Sequence, residues 1–165
     1  PHNTVYAINK LLVRFDEVYD ETMREQVANS GYSLREILTI ASLIERETDG
    51  EDQDQIASVI YNRLNNPDAG TQGYLQIDAT LVYINGGKQP TEADKSIDSP
   101  YNTYKYKGLP PAPIANPGKE AIQAALNPAS TDYFYYALGD DGKHHYFKTY
   151  DQMQSFLSTQ ELYNG

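Results

Sequence analysis

The chain has 165 residues, enough for one domain with its own hydrophobic core and without a metal or disulfide clamp. Its 23 acidic against 13 basic residues give a formal net charge of −10, which argues against a nucleic-acid partner or an anionic membrane surface, since neither would find a basic footprint. The absence of cysteine removes thiol catalysis, disulfides and thiolate zinc, and a thiol-free chain suits an oxidising exterior.

Apolar residues at Ile8, Leu11, Leu12, Phe15, Val18, Tyr19 and Met23 recur at helical spacing and predict one helix over 6–27. Asn29, Ser30 and Gly31 interrupt it. Ser33-Leu34-Arg35-Glu36 has the form of a capping box, which opens a second helix running to about Thr48. Asp49 to Asp52 reads as a polar turn, and Ile56, Val59, Ile60, Arg63 and Leu64 mark a third helix stopped by Asn65-Asn66-Pro67. Asp68 to Gly73 is a loop, Leu75-Gln76-Ile77 a short extended piece, and Asp78 a cap for a short helix to Ile84. The proline-rich stretch 88–117 exceeds an ordinary connector and reads either as a binding loop or as an irregular wrap over the core. Asn116-Pro117 reads as the cap and first residue of a helix through Leu126, ended by Asn127-Pro128. Tyr133 to Leu138 and His145 to Phe147 flank Gly139-Asp140-Asp141-Gly142, a hairpin signal, and Thr149 caps a terminal helix.

Helices first and one hairpin late predict a single, mainly helical α+β domain over 1–165. No run of 18 apolar residues occurs, and a chain that opens on Pro1 reads as a piece of something longer, whose anchor or targeting signal would lie upstream.

The second helix carries apolar groups around most of its circumference and is expected to be largely buried. At about 100° per residue, Arg35, Thr39, Ser42 and Arg46 form a narrow polar stripe, while Glu47 falls beside Leu43 and near Ile40. A carboxyl held against apolar groups has its charged form disfavoured and can stay protonated near neutral pH, as a general acid requires. The alternative is a helix that simply ends in solvated glutamates. Glu45 and Glu47 point roughly 200° apart and cannot flank one bond, so a second carboxylate would have to come from Asp78 or Asp98.

His2, His144 and His145 show no metal-ligand spacing, and neither a metal nor another cofactor is expected. Adjacent residues on a strand face opposite sides, so one of His144 and His145 should pack and the other meet solvent. No nucleophile elbow or phosphate loop occurs. Fifteen tyrosines without tryptophan suit either a saccharide, with its apolar faces and hydroxyl edges, or a half-buried sheet.

Six blocks resemble the YceG-like family, the endolytic murein transglycosylases. They are Ala41-Ser42-Leu43-Ile44-Glu45-Arg46-Glu47-Thr48, the run from Ile56 to Leu64, Leu75-Gln76-Ile77-Asp78-Ala79-Thr80, Ser99-Pro100-Tyr101-Asn102-Thr103-Tyr104, the run from Gly108 to Gly118, and His145-Tyr146-Phe147-Lys148-Thr149. They fall in family order over about 33–150. The sequence departs from the family pattern at Tyr150-Asp151-Gln152-Met153, where an aromatic, Glu, His and Asn are common, and at Ala79, where many members have Pro.

The resemblance implies a helical catalytic core with a lysozyme-like glutamate-bearing helix. It implies cleavage of peptidoglycan glycan strands between N-acetylmuramic acid and N-acetylglucosamine, leaving 1,6-anhydro muramyl ends. The family's catalytic glutamate directly precedes Thr in Glu-x-Glu-Thr, which is Glu47 here. Polar residues of the matching blocks, Gln76, Asp78, Asn102, Tyr104 and Asn116, become candidates for holding the sugars, since amides and hydroxyls bond N-acetyl and hydroxyl groups. Arg63 reads as a structural ion-pair partner or as a contact for a substrate carboxylate.

Family members typically have an amino-terminal membrane anchor and a LysM-like region. The resemblance therefore places this chain, as the catalytic part, at the extracytoplasmic face of the bacterial cytoplasmic membrane, with cell-wall polymerases (penicillin-binding proteins) as partners and contact with the membrane only through an upstream anchor. The competing expectations are a hydrolytic muramidase, with Asp78 or another carboxylate activating water, and a non-catalytic glycan-binding module of a cell-wall synthesis complex.

Overall fold

The helix expected over 6–27 is two helices. In the computed structural model, which describes residues 3–48 and 50–163, α1 spans Thr4–Val18 and α2 spans Glu21–Ser30. Asp20 separates them because its extended backbone and its carboxylate, which accepts the Met23 N–H at 2.9 Å, make it a cap. Local capping thus overrides a continuous apolar period. Gly31, at φ 78°, ends α2 in the left-handed conformation that glycine adopts without cost from a Cβ.

Ser33 opens α3 (Leu34–Glu47) with the predicted capping box, its hydroxyl accepting Glu36 N–H while the Glu36 carboxylate accepts Ser33 N–H. Every residue from Ile37 to Ile44 is buried except Leu38, which packs partly against the core. Ile37, Ile40, Leu43 and Ile44 are fully buried, and at about 1.5–3 kcal/mol per large aliphatic side chain this helix anchors the core. It packs on α4 (Gln53–Asn65), α5 (Asp78–Ile84) and α6 (Lys119–Leu126). The middle of the polar stripe of α3, Thr39 and Ser42, is buried, while Arg35 and Arg46 at its ends are exposed. Ser42 Oγ accepts the Ile114 N–H at 3.0 Å and Arg35 Nε donates to the Pro111 carbonyl at 3.2 Å, so the proline-rich segment lies over it.

That segment is irregular apart from a 3₁₀ turn at Glu92–Ser96. The helix after it begins at Lys119, two residues later than Asn116-Pro117 suggests, with Gly118 as its cap. The reason is a partner that the local pattern does not contain: Glu45 Oε2 accepts the Gly118 N–H at 2.9 Å and places a carboxylate at the helix start.

The hairpin forms as expected, with β1 (Tyr135–Leu138) antiparallel to β2 (His144–Phe147) and Tyr136 opposite Tyr146. Then α7 (Tyr150–Leu157) follows, capped by Thr149. The approach to β1 is fastened to α4. Asn62 Nδ2 donates to the carbonyls of Thr131 and Tyr133 at 3.0 and 2.9 Å, and Ser58 and Thr131 share a hydroxyl bond at 2.7 Å.

Phe134, the last residue of this approach, lies against the loop after α4. A Cβ at Gly70 would come within 2.2 Å of the Phe134 ring, at a backbone φ of 54°. Gly70→Ala is therefore expected to lower the unfolding free energy by about 2–4 kcal/mol, from left-handed strain and overpacking together. Urea unfolding measures it, and a loss within error would mean that the ring moves aside freely.

Candidate active site

The last turn of α3 delivers Glu47 to the hairpin. Its neighbour Glu45 points instead to the start of α6, as the angle between them requires. Glu47 is half-buried, and its Oε2 accepts the Tyr136 hydroxyl from β1 at 2.5 Å. Burial raises its pKa above the ordinary carboxylate value. The Tyr136 bond opposes that rise, the nearby Asp78 charge adds to it, and the Ala79 N–H and the Arg63 guanidinium oppose it in smaller measure. The surroundings are thus less greasy than the helix pattern alone implies, yet the net shift remains upward.

Glu47 lines three cavities, two of which reach the hairpin. One, of about 230 Å³, is also lined by Arg63, Gln76, Asp78, Tyr104, Tyr135, Tyr136, Tyr150 and Met153. The other, of about 850 Å³, is bounded by the turn after α3 and the hairpin tip, from Thr48, Glu51 and Asp52 to Leu138, Asp141 and His144.

Three of the five residues expected to hold sugar share the smaller cavity with Glu47. Gln76 reaches it because the piece 75–77 is not extended throughout: Gln76 sits at φ 51°, a left-handed conformation between the fully buried Leu75 and Ile77. Asp78 is the first residue of α5 and makes no cap bond; it accepts the Tyr104 hydroxyl at 2.6 Å instead. Tyr104 is presented by the proline-rich segment.

Asn102 and Asn116 are placed elsewhere. The Asn102 side chain is wholly buried, its amide donating to the Lys95 and Ile97 carbonyls at 3.0 and 2.9 Å while its oxygen accepts the Tyr104 N–H. It shapes the loop that carries Tyr104 and lines neither cavity. Asn116 is exposed and lines neither. Asp98, the alternative second carboxylate, is exposed and engaged by the Tyr106 hydroxyl and Lys105 outside both cavities.

Arg63 is structural and yet within the site. Only 6% of it is exposed, its Nε donates to the Phe134 carbonyl at 2.7 Å, and its Nη1 donates to the Leu75 carbonyl. The guanidinium carbon lies 5.5 Å from the Tyr136 ring centre.

In the sequence Tyr136 stands only among the tyrosines that suit a saccharide or a half-buried sheet, and nothing there marks Asp52, Tyr150 or Met153 as site residues. Alternation on β1 and β2 could have placed Tyr136 and Tyr146 on the inward face, but nothing local says that the face meets Glu47. The two histidines divide as expected. His144 packs inward with Nδ1 2.8 Å from Asp52 Oδ2, and the more exposed His145 lies near Asp141. His2 and Asp49 lie outside the described residues.

A mainly helical α+β fold with a half-buried carboxyl shared by two cavities and bonded by the Tyr136 hydroxyl is what fold and site define. The chain belongs to the YceG-like family, whose sequence model matches residues 2–158. It is 40% identical over 152 residues to the endolytic murein transglycosylase of Bacillus subtilis, covering 90% of this chain and 41% of that protein. It is 35% identical over 129 residues to the endolytic murein transglycosylase of Streptococcus pneumoniae (strain D39), covering 73% and 22%. The crystal structure of a YceG-like protein from Listeria monocytogenes superposes with a TM-score of 0.81 at 36% identity, over 93% of this chain and 50% of that one. The chain thus spans less than half the length of these curated relatives.

Proposed function

We propose that this domain cuts peptidoglycan glycan strands internally as a lytic transglycosylase, with Glu47 as its single acid and base. The observation that carries the reading is the Glu47 carboxyl itself: half-buried, its pKa shifted upward, and lining both cavities that reach the hairpin in a chain whose relatives bear that activity in their names.

In this reading Glu47 donates its proton to the glycosidic oxygen between N-acetylmuramic acid and N-acetylglucosamine as the bond breaks with oxocarbenium character. The resulting carboxylate then removes the proton from the muramyl C6 hydroxyl while that oxygen bonds to C1. Tyr136 donates to the ionised form and steadies it between the two steps. The product carries a 1,6-anhydro ring and no water is consumed. Because the nucleophile belongs to the same sugar, positioning supplies much of the rate. Gln76, Asp78 and Tyr104 supply polar contacts in the smaller cavity.

A second reading follows from Asp78 sharing that cavity: a muramidase in which Asp78 activates water. Mass spectra of digested strands separate the two. Anhydro ends with no label from isotopically labelled water are expected; labelled reducing ends would establish the hydrolase instead. The substrate lies outside the cytoplasmic membrane, so we place the activity on that face, alongside the polymerases that make the strands.

A further inference from the structure

One carboxylate next to the site is used by none of the chemistry above. Asp52 Oδ1 accepts the hydroxyl of Thr48, the residue after Glu47. Its Oδ2 accepts the Tyr146 hydroxyl at 2.6 Å and lies 2.8 Å from His144 Nδ1. Two inward side chains of β2 therefore end on one oxygen. Tyr146 is the cross-strand partner of Tyr136, their ring centres 6.3 Å apart, and the His144 ring stands edge-on to Tyr136 at 5.6 Å. The path closes on itself, from Glu47 to Tyr136, across the strands to Tyr146 and His144, to Asp52, and through Thr48 back to Glu47.

A lone two-stranded hairpin is marginal by itself, so its seating depends on contacts with the helices. We propose that Asp52 is a positioning residue for Glu47: by tying β2 to the turn after α3, it sets Tyr136 at bonding distance from Glu47 Oε2. Burial opposes ionisation of Asp52, but the bonds from Thr48, Tyr146 and His144 outweigh it and hold the carboxyl below its ordinary range, so the acceptor persists at neutral pH. The groups acting on Glu47 are Tyr136, Asp78, Ala79 N–H and Arg63, with Tyr104 beside them. Those around Asp52 are Thr48, Tyr146 and His144, with Asp54 acting on Tyr146 and Glu51, Asp141 and Lys143 lining the same cavity.

The placement of Tyr136 stands apart from the activity; only its kinetic consequence rests on the transglycosylase reading. The test is a double-mutant cycle read by NMR titration of the Glu47 carboxyl in isotope-labelled protein. Tyr136→Phe should raise the Glu47 pKa in the otherwise native chain, because it removes a donor to the ionised form. With Asp52→Asn present, the same change should leave that pKa unmoved, because the donor is already displaced. Equal shifts in both backgrounds would overturn the proposal. Tyr146→Phe, which removes one oxygen and keeps the ring, serves in a parallel cycle that does not depend on the Asn variant folding; there the Tyr136→Phe shift should be at least about halved, and an undiminished one counts against the proposal.

In strand digestion Asp52→Asn should lower kcat about tenfold or more with KM held within about twofold. A raised KM at unchanged kcat would make Asp52 a strand-binding residue and also overturn the proposal. A native chain that cuts no glycan sinks the transglycosylase reading, while the titration cycle still decides this one.

Discussion

Replacing Glu47 with Gln is expected to slow glycan-strand cleavage by about a thousandfold or more, within the range general acid–base catalysis supplies when one group serves both steps. The amide cannot donate a proton to the leaving oxygen, nor take one from the C6 hydroxyl. It is nearly isosteric and can still accept from the Tyr136 hydroxyl, so the hairpin should stay seated and strand binding should survive. That pairing of lost turnover with retained binding separates catalysis from a glycan-binding module, which would be indifferent to the change. Digestion of uncrosslinked strands alongside a strand-binding assay checks it, and undiminished cutting would remove Glu47 from the chemistry.

The second large effect belongs to Arg63. Arg63→Met keeps much of the volume but leaves the Phe134 and Leu75 carbonyls without the donors they now have. A buried charge-assisted contact of this kind, once broken, costs about 3–5 kcal/mol of unfolding free energy. Lysine would not rescue it, since a point charge cannot serve two carbonyls in the fixed fork of a guanidinium. The titration of Glu47 should move further up in the same variant, because the guanidinium favours its ionised form.

For a group whose folded pKa lies above its unfolded one, stability falls as pH rises from the unfolded value through the folded one. Arg63→Met should therefore carry the Glu47 part of that fall to higher pH. Urea unfolding at several pH values tests both points. A loss under about 1 kcal/mol would show that water replaces the guanidinium at both carbonyls.

Much of the fold was legible because its causes are local. The box at Ser33 and Glu36, the apolar period of α3 and the Gly-Asp-Asp-Gly turn act within a few residues, and each element formed near its expected place. Reading failed where a distant partner took over or a local competitor was overlooked. Glu45 moved the start of α6, Asp20 split the first helix, and Tyr104 drew Asp78 away from capping. Asn102 and Asn116 belong to matching blocks, but block membership does not separate a side chain that lines a cavity from one that builds the loop beside it.

Helical spacing and caps are properties of neighbours along the chain, so they already place Glu47 at the end of an apolar helix, and the family resemblance marks it as the acid. What surrounds that carboxyl is set by contacts between distant parts of the chain. Tyr136 comes from 89 residues away, and Asp52 gathers β2 from 92 and 94 residues away. Contacts of that span depend on how the hairpin lies across the helices, and such a placement leaves no period or cap in the residues that make it.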